Sequence, residues 1–380
     1  MTKKLKVAVV FGGPSTEHDI SIITGIQIIE NLDDSKYELI PIYWTRDNKF
    51  LTCESYSKPK EILKNITNQN INVTWDVNKK ALKLNSPKVF SKNKTIIPDV
   101  IIPGLHGNPG EGGDFQGLLE IFDVPYAGSS MGSSFVSMDK NVFKQLMKAN
   151  NISILPWQII EKSEKSKTKI KFKYPVIAKP NSLGSSIGVK RCNSEKDLKE
   201  ALELIFELDT KAIVEPYVED LIEINCSVLG DIENQTASVC ERPVGKGEIL
   251  DFKDKYMSGG KSKVGKKVSG MASLDRIIPA DIPEKLSKSV QEICKEVFRI
   301  AGCAGIVRID CIYSKKTKKL VVNEINSIPG SYSFYLWEAT GKSFTEVLEE
   351  AIKIAFVNHQ KKHELTKTFE STVLENFLGN

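Results

Sequence analysis

Four polar residues interrupt two apolar segments near the C-terminal end of this 380-residue chain. Arg308 and Asp310 alternate with apolar residues in GIVRIDCIY, and Glu324 and Asn326 alternate in KLVVNEIN. The short run SKKTK joins the two segments, so we expect a β-hairpin. Because side chains alternate between the faces of a strand, the two polar residues of each segment share one face.

If the two faces coincide, a cation, two carboxylates and an amide converge. Polar groups in apolar strands are costly to bury unless they are paired or bound to a metal ion. The oxygens of Asp310, Glu324 and Asn326 are hard ligands that suit Mg²⁺ held together with substrate phosphates. The alternative interpretation is a salt bridge on a solvated face of the sheet.

A second candidate site is the loop at residues 181–188, NSLGSSIG, which follows an apolar segment ending in Ala-Lys-Pro. Its two glycines permit a close approach of the backbone to a ligand. Ser185, Ser186 and their amides can donate to phosphate oxygens, and Lys179 supplies a positive charge at the root of the loop. A loop of this composition is also common as an ordinary surface turn.

Two further segments could contact a ligand. The backbone of VEPYV, residues 214–218, can hydrogen-bond an adenine at a strand edge, and Glu223 can hold a ribose hydroxyl. The loop GGPSTE, residues 12–17, lies between the first predicted strand and helix, where doubly wound sheets bind ligands. Glu17 is also in a routine structural place for an acid, near a helix N-terminus. A dehydrogenase would need GxGxxG in this loop, and GGPSTE does not supply it.

The elements that position these residues alternate between strands and helices, which predicts an α/β (α+β) protein. Predicted strands cover residues 6–11, 38–44, 99–103, 152–160, 174–178, 211–218, 223–230, 236–243, 305–313 and 319–326. Predicted helices cover 19–32, 115–122, 139–149, 283–301 and 343–359, and a further helix opens at Ser194. Residues 46–97 show no clear periodicity. We expect a doubly wound domain (1–135), a small central domain (136–222), a C-terminal domain (223–360) with a basic loop at 251–275, and an extension (361–380).

The composition excludes several classes of protein. A formal net charge of +5 over the whole chain is too small for a nucleic-acid-binding footprint. No apolar run approaches the ~20 residues of a membrane helix, and no signal-peptide pattern opens the chain. The seven scattered cysteines indicate reduced thiols in the core, and the four histidines form no HExxH or Cys/His cluster that would predict zinc.

Eight segments, taken together and in order, resemble the D-alanine–D-alanine ligase family of the ATP-grasp fold. They are GGPSTEHDIS (12–21), LHGNPGEGGDFQG (105–117), SMDK (137–140), AKPNSLGSSIG (178–188), VEPYV (214–218), DFKDKY (251–256), GIVRID (305–310) and NEINSIPG (323–330). The resemblance runs from about residue 5 to 358 and implies three domains, with ATP between the central and C-terminal ones. It implies two Mg²⁺ or Mn²⁺ ions held by Asp310, Glu324 and Asn326. The implied ATP ligands are Lys140, Lys179, Ser186, Glu215, Tyr217, Val218, Glu223, Lys255, Asn323 and Glu324.

The resemblance also implies roles around the amino-acid substrates. Glu17 would bind the ammonium of the first amino acid, with His106 nearby. Glu17, Ser185 and Tyr256 would form a hydrogen-bonded triad when the loop 251–275 closes, and Lys255 would face the second substrate's carboxylate or the γ-phosphate. Arg308 and the Gly330 amide would stabilise the tetrahedral intermediate.

The implied reaction joins two D-alanines through an acyl phosphate, for peptidoglycan synthesis. The family likeness further implies a cytoplasmic homodimer with small-molecule substrates and with no nucleic-acid or membrane partner. An acyl phosphate hydrolyses easily, so the basic loop is expected to exclude water from the site.

The chain departs from the family pattern after the metal motif. The family usually has a serine five residues past the glycine, where it helps to bind the carboxylate of the second amino acid, and this chain has Tyr335 there. Ser331 or Ser333 could substitute for it. The departure leaves open a ligase with another second substrate, such as D-serine, D-lactate or another amino acid. A nucleotide-binding relative without catalysis is a further alternative, against which the intact Asp310 and Glu324 argue.

The predicted triad gives a first test. We expect Tyr256→Phe to raise the KM for the first amino acid, because the hydroxyl would no longer hold the loop over the substrate. Steady-state kinetics of phosphate release measure this. An unchanged KM would mean that the loop does not close as the resemblance implies.

Overall fold

A computed structural model describes residues 3–87, 93–165, 169–244, 276–366, 368 and 371–378. Its strands are β1 Leu5–Gly12, β2 Tyr37–Trp44, β3 Phe50–Thr52, β4 Ile71–Asp76, β5 Ala81–Asn85, β6 Lys94–Ile96, β7 Val100–Pro103, β8 Gln158–Glu161, β9 Val176–Pro180, β10 Lys190–Cys192, β11 Lys211–Pro216, β12 Leu221–Gly230, β13 Gln235–Pro243, β14 Arg276–Ile277, β15 Gly305–Ser314 and β16 Leu320–Asn326. Its helices are α1 His18–Asn31, α2 Ile62–Gln69, α3 Asp114–Phe122, α4 Met131–Met138, α5 Lys140–Ala149, α6 Glu195–Leu208, α7 Glu284–Ile300, α8 Phe334–Thr340, α9 Phe344–His363 and α10 Val373–Leu378.

The strands form three sheets, which confirms the predicted mixed α/β class. The domain boundaries predicted at 135 and 222 stay predictions, and β12, at Leu221–Gly230, spans the second of them. The loop predicted at 251–275 lies outside the described residues. Among the described helices, none combines the length and the apolar character needed to cross a bilayer.

The first sheet has the strand order β6-β5-β4-β3-β2-β1-β7. β1 lies between β2 and β7 and is parallel to both, so the strand order reverses at β1, as in a doubly wound sheet. The carboxyl ends of β1 and β7 lead into the loops 12–17 and 104–113, and the crevice between such ends is where ligands bind. β3 to β6 add an antiparallel extension from the residues that showed no periodicity.

The second sheet has the order β10-β9-β11-β8. The helix predicted to open at Ser194 is confirmed as α6, since the Ser194 hydroxyl accepts from the Asp197 amide at 3.2 Å and the Asp197 carboxylate accepts from the Ser194 amide at 3.1 Å. The prediction of a strand over 152–160 is wrong for its first half. Pro156 has no amide to donate, and Ile154 forms a bridge with Val322 of the third sheet instead.

The third sheet has the order β14-β13-β12-β15-β16 and contains the predicted hairpin, β15–β16. One face is apolar and packs on α7, where Cys226 and Cys294 join Val297 and Phe298 in the core. All seven cysteines are free and buried, as predicted. The opposite face of this sheet carries the polar residues of the candidate site.

Helix α9, near the C-terminal end of the chain, packs against the N-terminal sheet. Val347, Leu348 and Ala351 belong to the same buried cluster as Val7 and Val9 of β1. Helix α9 therefore packs on the first sheet, and this packing holds the first sheet next to the third. The loops that end β1 and β7 are thereby positioned over the polar face of the hairpin.

The contact between α1 and β1 permits a stability test. A Cβ added at Gly25 would lie 2.4 Å from Cβ of the fully buried Phe11, so the helix would have to move away from the strand. We expect Gly25→Ala to destabilise the fold by about 1–3 kcal/mol, seen as a lower thermal-unfolding midpoint. Gly132→Ala in α4 is the control, because nothing lies within 4 Å of its added Cβ. Equal midpoints in the two variants would contradict this packing.

Candidate active site

The predicted hairpin brings its four polar residues together. Arg308 pairs with Asn326 across the two strands, and Asp310 pairs with Glu324, so the two polar faces coincide. Nε of Arg308 donates to Oδ1 of Asp310 at 2.6 Å and Nη2 donates to Oδ2 at 2.7 Å. Nδ2 of Asn326 donates to Oδ2 of Asp310 at 3.2 Å. The face holds Asp310 firmly between a guanidinium and an amide.

The polar face continues beyond the hairpin, which sequence reasoning missed. Asn225 of β12 lies opposite Asp310, and Glu241 of β13 lies opposite Asn225. Nδ2 of Asn225 donates to Oε1 of Glu241 at 3.0 Å. Both residues are polar positions within apolar segments, the same signal that revealed the hairpin.

The predicted phosphate lysine, Lys179, is part of a buried cluster of charges. Its Nζ lies 2.8 Å from Oε2 of Glu215, and Nζ of Lys144 lies 2.5 Å from Oε1. Burial alone would raise the pKa of Glu215, but the two lysines outweigh it and lower that pKa to about 2. Glu215 is thus a carboxylate at neutral pH, and it fixes the position of Lys179 at the root of the loop 181–188.

Lys144 is fully buried and was not predicted. It lies one turn after Lys140 on the buried side of α5, together with Phe143 and Met147. A lysine within the apolar stripe of a helix was the available signal. Burial lowers the pKa of Lys140 as well, and its Nζ donates to the carbonyl of Leu183 in the loop 181–188 at 2.5 Å.

Two neighbouring cavities collect the predicted site residues. The larger one lies between the second and third sheets and is lined by the predicted ATP ligands within the described residues, namely Lys140, Lys179, Ser186, Glu215, Tyr217, Val218, Glu223, Asn323 and Glu324. The smaller one is lined by Glu17, His106, Ser185, Arg308, Glu324, Asn326 and Gly330, among others. Glu324 lines both, so a ligand in one cavity adjoins a ligand in the other.

The loop 181–188 closes over Glu17. The Ser185 hydroxyl donates to Oε1 of Glu17, and a Cβ at Gly184 would lie 3.0 Å from Oε2. Ser185 and Ser186 adopt left-handed backbone conformations, with φ of 54° and 58°. The contact between Glu17 and Ser185 agrees with the predicted triad, whose third member, Tyr256, lies outside the described residues together with Lys255.

Comparisons with known proteins identify the family. The family model described as D-ala D-ala ligase N-terminus matches residues 6–129, and the one described as D-ala D-ala ligase C-terminus matches residues 146–353. The chain belongs to the D-alanine–D-alanine ligase family.

Individual relatives agree with this assignment over nearly the whole chain. A D-alanine–D-alanine ligase of Thermosipho africanus is 36% identical over 378 residues, covering 98% of each chain. The solved D-alanine–D-alanine ligase from Coxiella burnetii is similar with a TM-score of 0.78 at 25% identity, covering 96% of this chain and 97% of that one. The VanG D-Ala:D-Ser ligase from Enterococcus faecalis has a TM-score of 0.78 at 27% identity, covering 93% and 100%. The predicted ATP-grasp fold is thereby confirmed.

The D-alanine–D-alanine ligase motif around His106 contains a second buried acid, Glu111, to which sequence reasoning gave no role. Oε2 of Glu111 accepts from the Gly107 amide at 3.1 Å, and Oε1 accepts from the Ile328 amide at 3.3 Å. Burial, and then the charge of Glu17, raise the pKa of Glu111 to about 8. Glu111 joins the loop after β7 to the segment after the hairpin. A glutamate between glycines in NPGEGG was the available signal.

His106 is a neutral member of this site. Its Nε2 lies 2.8 Å from Oγ1 of Thr24, and burial lowers its pKa to about 4. The imidazole therefore contributes hydrogen bonds and no charge at neutral pH. Thr24 Oγ1 also accepts from the Ser331 amide at 3.2 Å, so His106, α1 and the segment after Gly330 are linked.

Tyr335, which stands where the family usually has a serine, makes contacts that a small serine side chain could not make. The Arg276 guanidinium lies 4.0 Å from the centre of the Tyr335 ring, and the Tyr335 hydroxyl donates to Oε1 of Glu241 at 3.4 Å. Nη1 of Arg276 lies 2.7 Å from Oε2 of Glu241. The predicted substitutes, Ser331 and Ser333, are buried and do not line the smaller cavity.

The lysine pair on Glu215 gives a testable consequence. We expect Lys144→Met to destabilise the fold by about 3 kcal/mol, because Glu215 loses one of two buried partners. We also expect weaker ATP binding, because Lys179 alone must then neutralise Glu215. Thermal unfolding and calorimetric titration with ATP measure the two effects. Lys148→Met, at an exposed position of the same helix, is the control, and equal behaviour of both variants would contradict the assignment.

Proposed function

We propose that this chain joins two D-alanines at the expense of ATP, which is cleaved to ADP and phosphate through an acyl-phosphate intermediate. The observation that carries the proposal is the adjacency of the two cavities at Glu324, with Arg308 in the smaller one. One cavity suits a nucleotide and the other suits an amino acid, so a γ-phosphate and a carboxylate can meet between them. The names of the relatives support the choice of substrates.

The donor set of the hairpin fits a divalent cation. Asp310, Glu324 and Asn326 present carboxylate and amide oxygens on one face of the sheet, and such oxygens suit Mg²⁺ or Mn²⁺. We propose that these three residues hold the two ions implied by the family. When bound, the ions neutralise charge on the phosphates.

The residues of the chain then have the following proposed roles. Glu17, held by Ser185, binds the ammonium of the first D-alanine and orients its carboxylate toward the γ-phosphate. Lys140 and Lys179 offset the charge that develops as the carboxylate oxygen attacks phosphorus and ADP leaves. The remaining ATP ligands that line the larger cavity hold the rest of the nucleotide.

In the second step the neutral amine of the second D-alanine attacks the acyl carbon. Arg308 and the Gly330 amide receive the oxyanion of the tetrahedral intermediate. Collapse of that intermediate expels inorganic phosphate with one oxygen from the original carboxylate, and the amine loses a proton to leave the peptide bond. We propose that Lys255 faces the carboxylate of the second substrate or the γ-phosphate. Tyr256 would complete the hydrogen-bonded triad with Glu17 and Ser185.

A different second substrate is the alternative, favoured by Tyr335 in place of the usual serine. Tyr335 stacks on Arg276, which pairs with the buried Glu241, so this position is bulkier and more charged than a serine would be, although none of the three residues lines the smaller cavity. One structural relative is a D-Ala:D-Ser ligase by its name. D-serine, D-lactate or another amino acid are therefore the second candidates.

We further infer the cellular setting from the family. The proposed product is a dipeptide for peptidoglycan synthesis, made in the cytoplasm by a homodimer. The proposed domains are 1–135, 136–222 and 223–360, with an extension at 361–380.

The substrate assay measures phosphate release from the purified protein with ATP and Mg²⁺. D-alanine is supplied alone and then with D- and L-amino acids or D-lactate. Turnover with D-alanine alone, yielding the dipeptide, is the expected result. Turnover only when a second compound is added would favour the alternative, in which the segment around Tyr335 selects a different second substrate. No ATP turnover under any condition would contradict the proposal.

The metal assignment has its own test. We expect Glu324→Gln to abolish ATP turnover without changing the thermal-unfolding midpoint, because a cation ligand is lost while the shape of the side chain is kept. Glu292→Gln, at an exposed position of α7, is the control. Near-normal activity of Glu324→Gln would contradict the assignment of Glu324 as a ligand of the metal ion.

A further inference from the structure

A second cluster of metal-ligating side chains lies outside both cavities of the ligase site. It consists of His359 and His363 on α9 and of Asp123, which follows α3. Within the described part of the chain, no other set of three such side chains brings its donor atoms this close together. Both histidines lie beyond residue 353, where the match to the family model ends.

The geometry of the cluster suits a single ion. The two histidines are four residues apart on a helix and therefore share one face, with ring centres 4.4 Å apart. Nε2 of His363 lies 2.8 Å from Oδ1 of Asp123, and Nε2 of His359 lies 3.4 Å from the same oxygen. Ligands about 2.1 Å from a tetrahedral Zn²⁺ are separated by about 3.4 Å, so small rotations of the side chains complete such a site.

The side chain of Asp123 is fixed in position by a neighbouring lysine. Lys80 Nζ lies 2.6 Å from its Oδ2, whereas both histidines approach its Oδ1. The backbone oxygen of Asp123 lies 3.3 Å from Nε2 of His359 and offers a further donor. His363 is the most exposed of the three side chains, at 36%, so an ion can enter from solvent.

We propose that Asp123, His359 and His363 bind a transition-metal ion of the Zn²⁺ class. Two imidazoles and one carboxylate favour Zn²⁺, Ni²⁺ or Cu²⁺ over Mg²⁺, which prefers oxygen ligands only. The site is chemically distinct from the oxygen-only set proposed on the hairpin. An ion here ties the end of α9 to the end of α3 and thus clamps the C-terminal helix onto the N-terminal sheet.

Charges around the cluster do not exclude a cation. Lys362, which precedes His363 on α9, is paired with Glu120, and Lys80 is paired with Asp123 itself. Sequence reasoning predicted no zinc site because no cluster of cysteines and histidines was visible. The His-x3-His spacing was present in the sequence, but its third ligand lies more than two hundred residues earlier and becomes a neighbour only through the packing of α9.

The test uses the full-length protein, stripped of metal with a chelator and kept reduced, in buffer with excess Mg²⁺ to saturate the oxygen sites. Calorimetric titration with Zn²⁺ measures the stoichiometry and Kd. The variants are His359→Gln and His363→Gln, which keep a polar side chain on the helix. Gln360→Ala, exposed on the same helix, is the matched control.

We expect one Zn²⁺ per chain in the wild type and in Gln360→Ala, and a Kd about tenfold or more higher in each histidine variant. Thermal unfolding of each variant without metal shows that it is folded. The proposal is overturned if the wild type binds no Zn²⁺, or if both histidine variants bind it as tightly as the wild type. Ligase activity does not enter this readout, so the result is independent of the proposed function.

Discussion

The structure depends on the mutual neutralisation of charges buried on one face of the third sheet. An isolated buried charge costs several kcal/mol, so each cation or carboxylate there needs a partner of opposite sign. Arg308 donates two hydrogen bonds to Asp310. Glu241 accepts a hydrogen bond from Asn225 and forms an ion pair with Arg276. The same requirement explains the lysines on either side of Glu215. The polar surface is therefore fixed in position before any substrate binds.

The rest of the fold places binding loops over that surface. The apolar face of the third sheet packs on α7, and α9 holds the N-terminal sheet alongside. The loop after β1 then presents Glu17, and the loop after β9 presents Ser185 to it. Three separate parts of the chain thereby enclose two adjoining cavities, which is the arrangement that a reaction between a nucleotide and an amino acid requires.

Local patterns predicted much of this, and contacts between distant segments account for what they missed. The hairpin was predictable because alternation over a few residues fixes which side chains share a face. Lys144 and Glu111 were not assigned, because each acquires its role from a partner far away in sequence. The strands β3 and β6 have only three residues each, too few to show a period. The strand predicted from 152 failed where Ile154 pairs with the third sheet.

The central claim is that phosphate is transferred to the carboxylate of the first D-alanine. The direct measurement uses D-alanine with both carboxylate oxygens replaced by ¹⁸O, followed by mass analysis of the phosphate released during dipeptide formation. The account predicts one ¹⁸O in each phosphate, because the attacking oxygen leaves with phosphorus, and ADP as the other product. Phosphate without ¹⁸O, or ¹⁸O found in AMP, would contradict it.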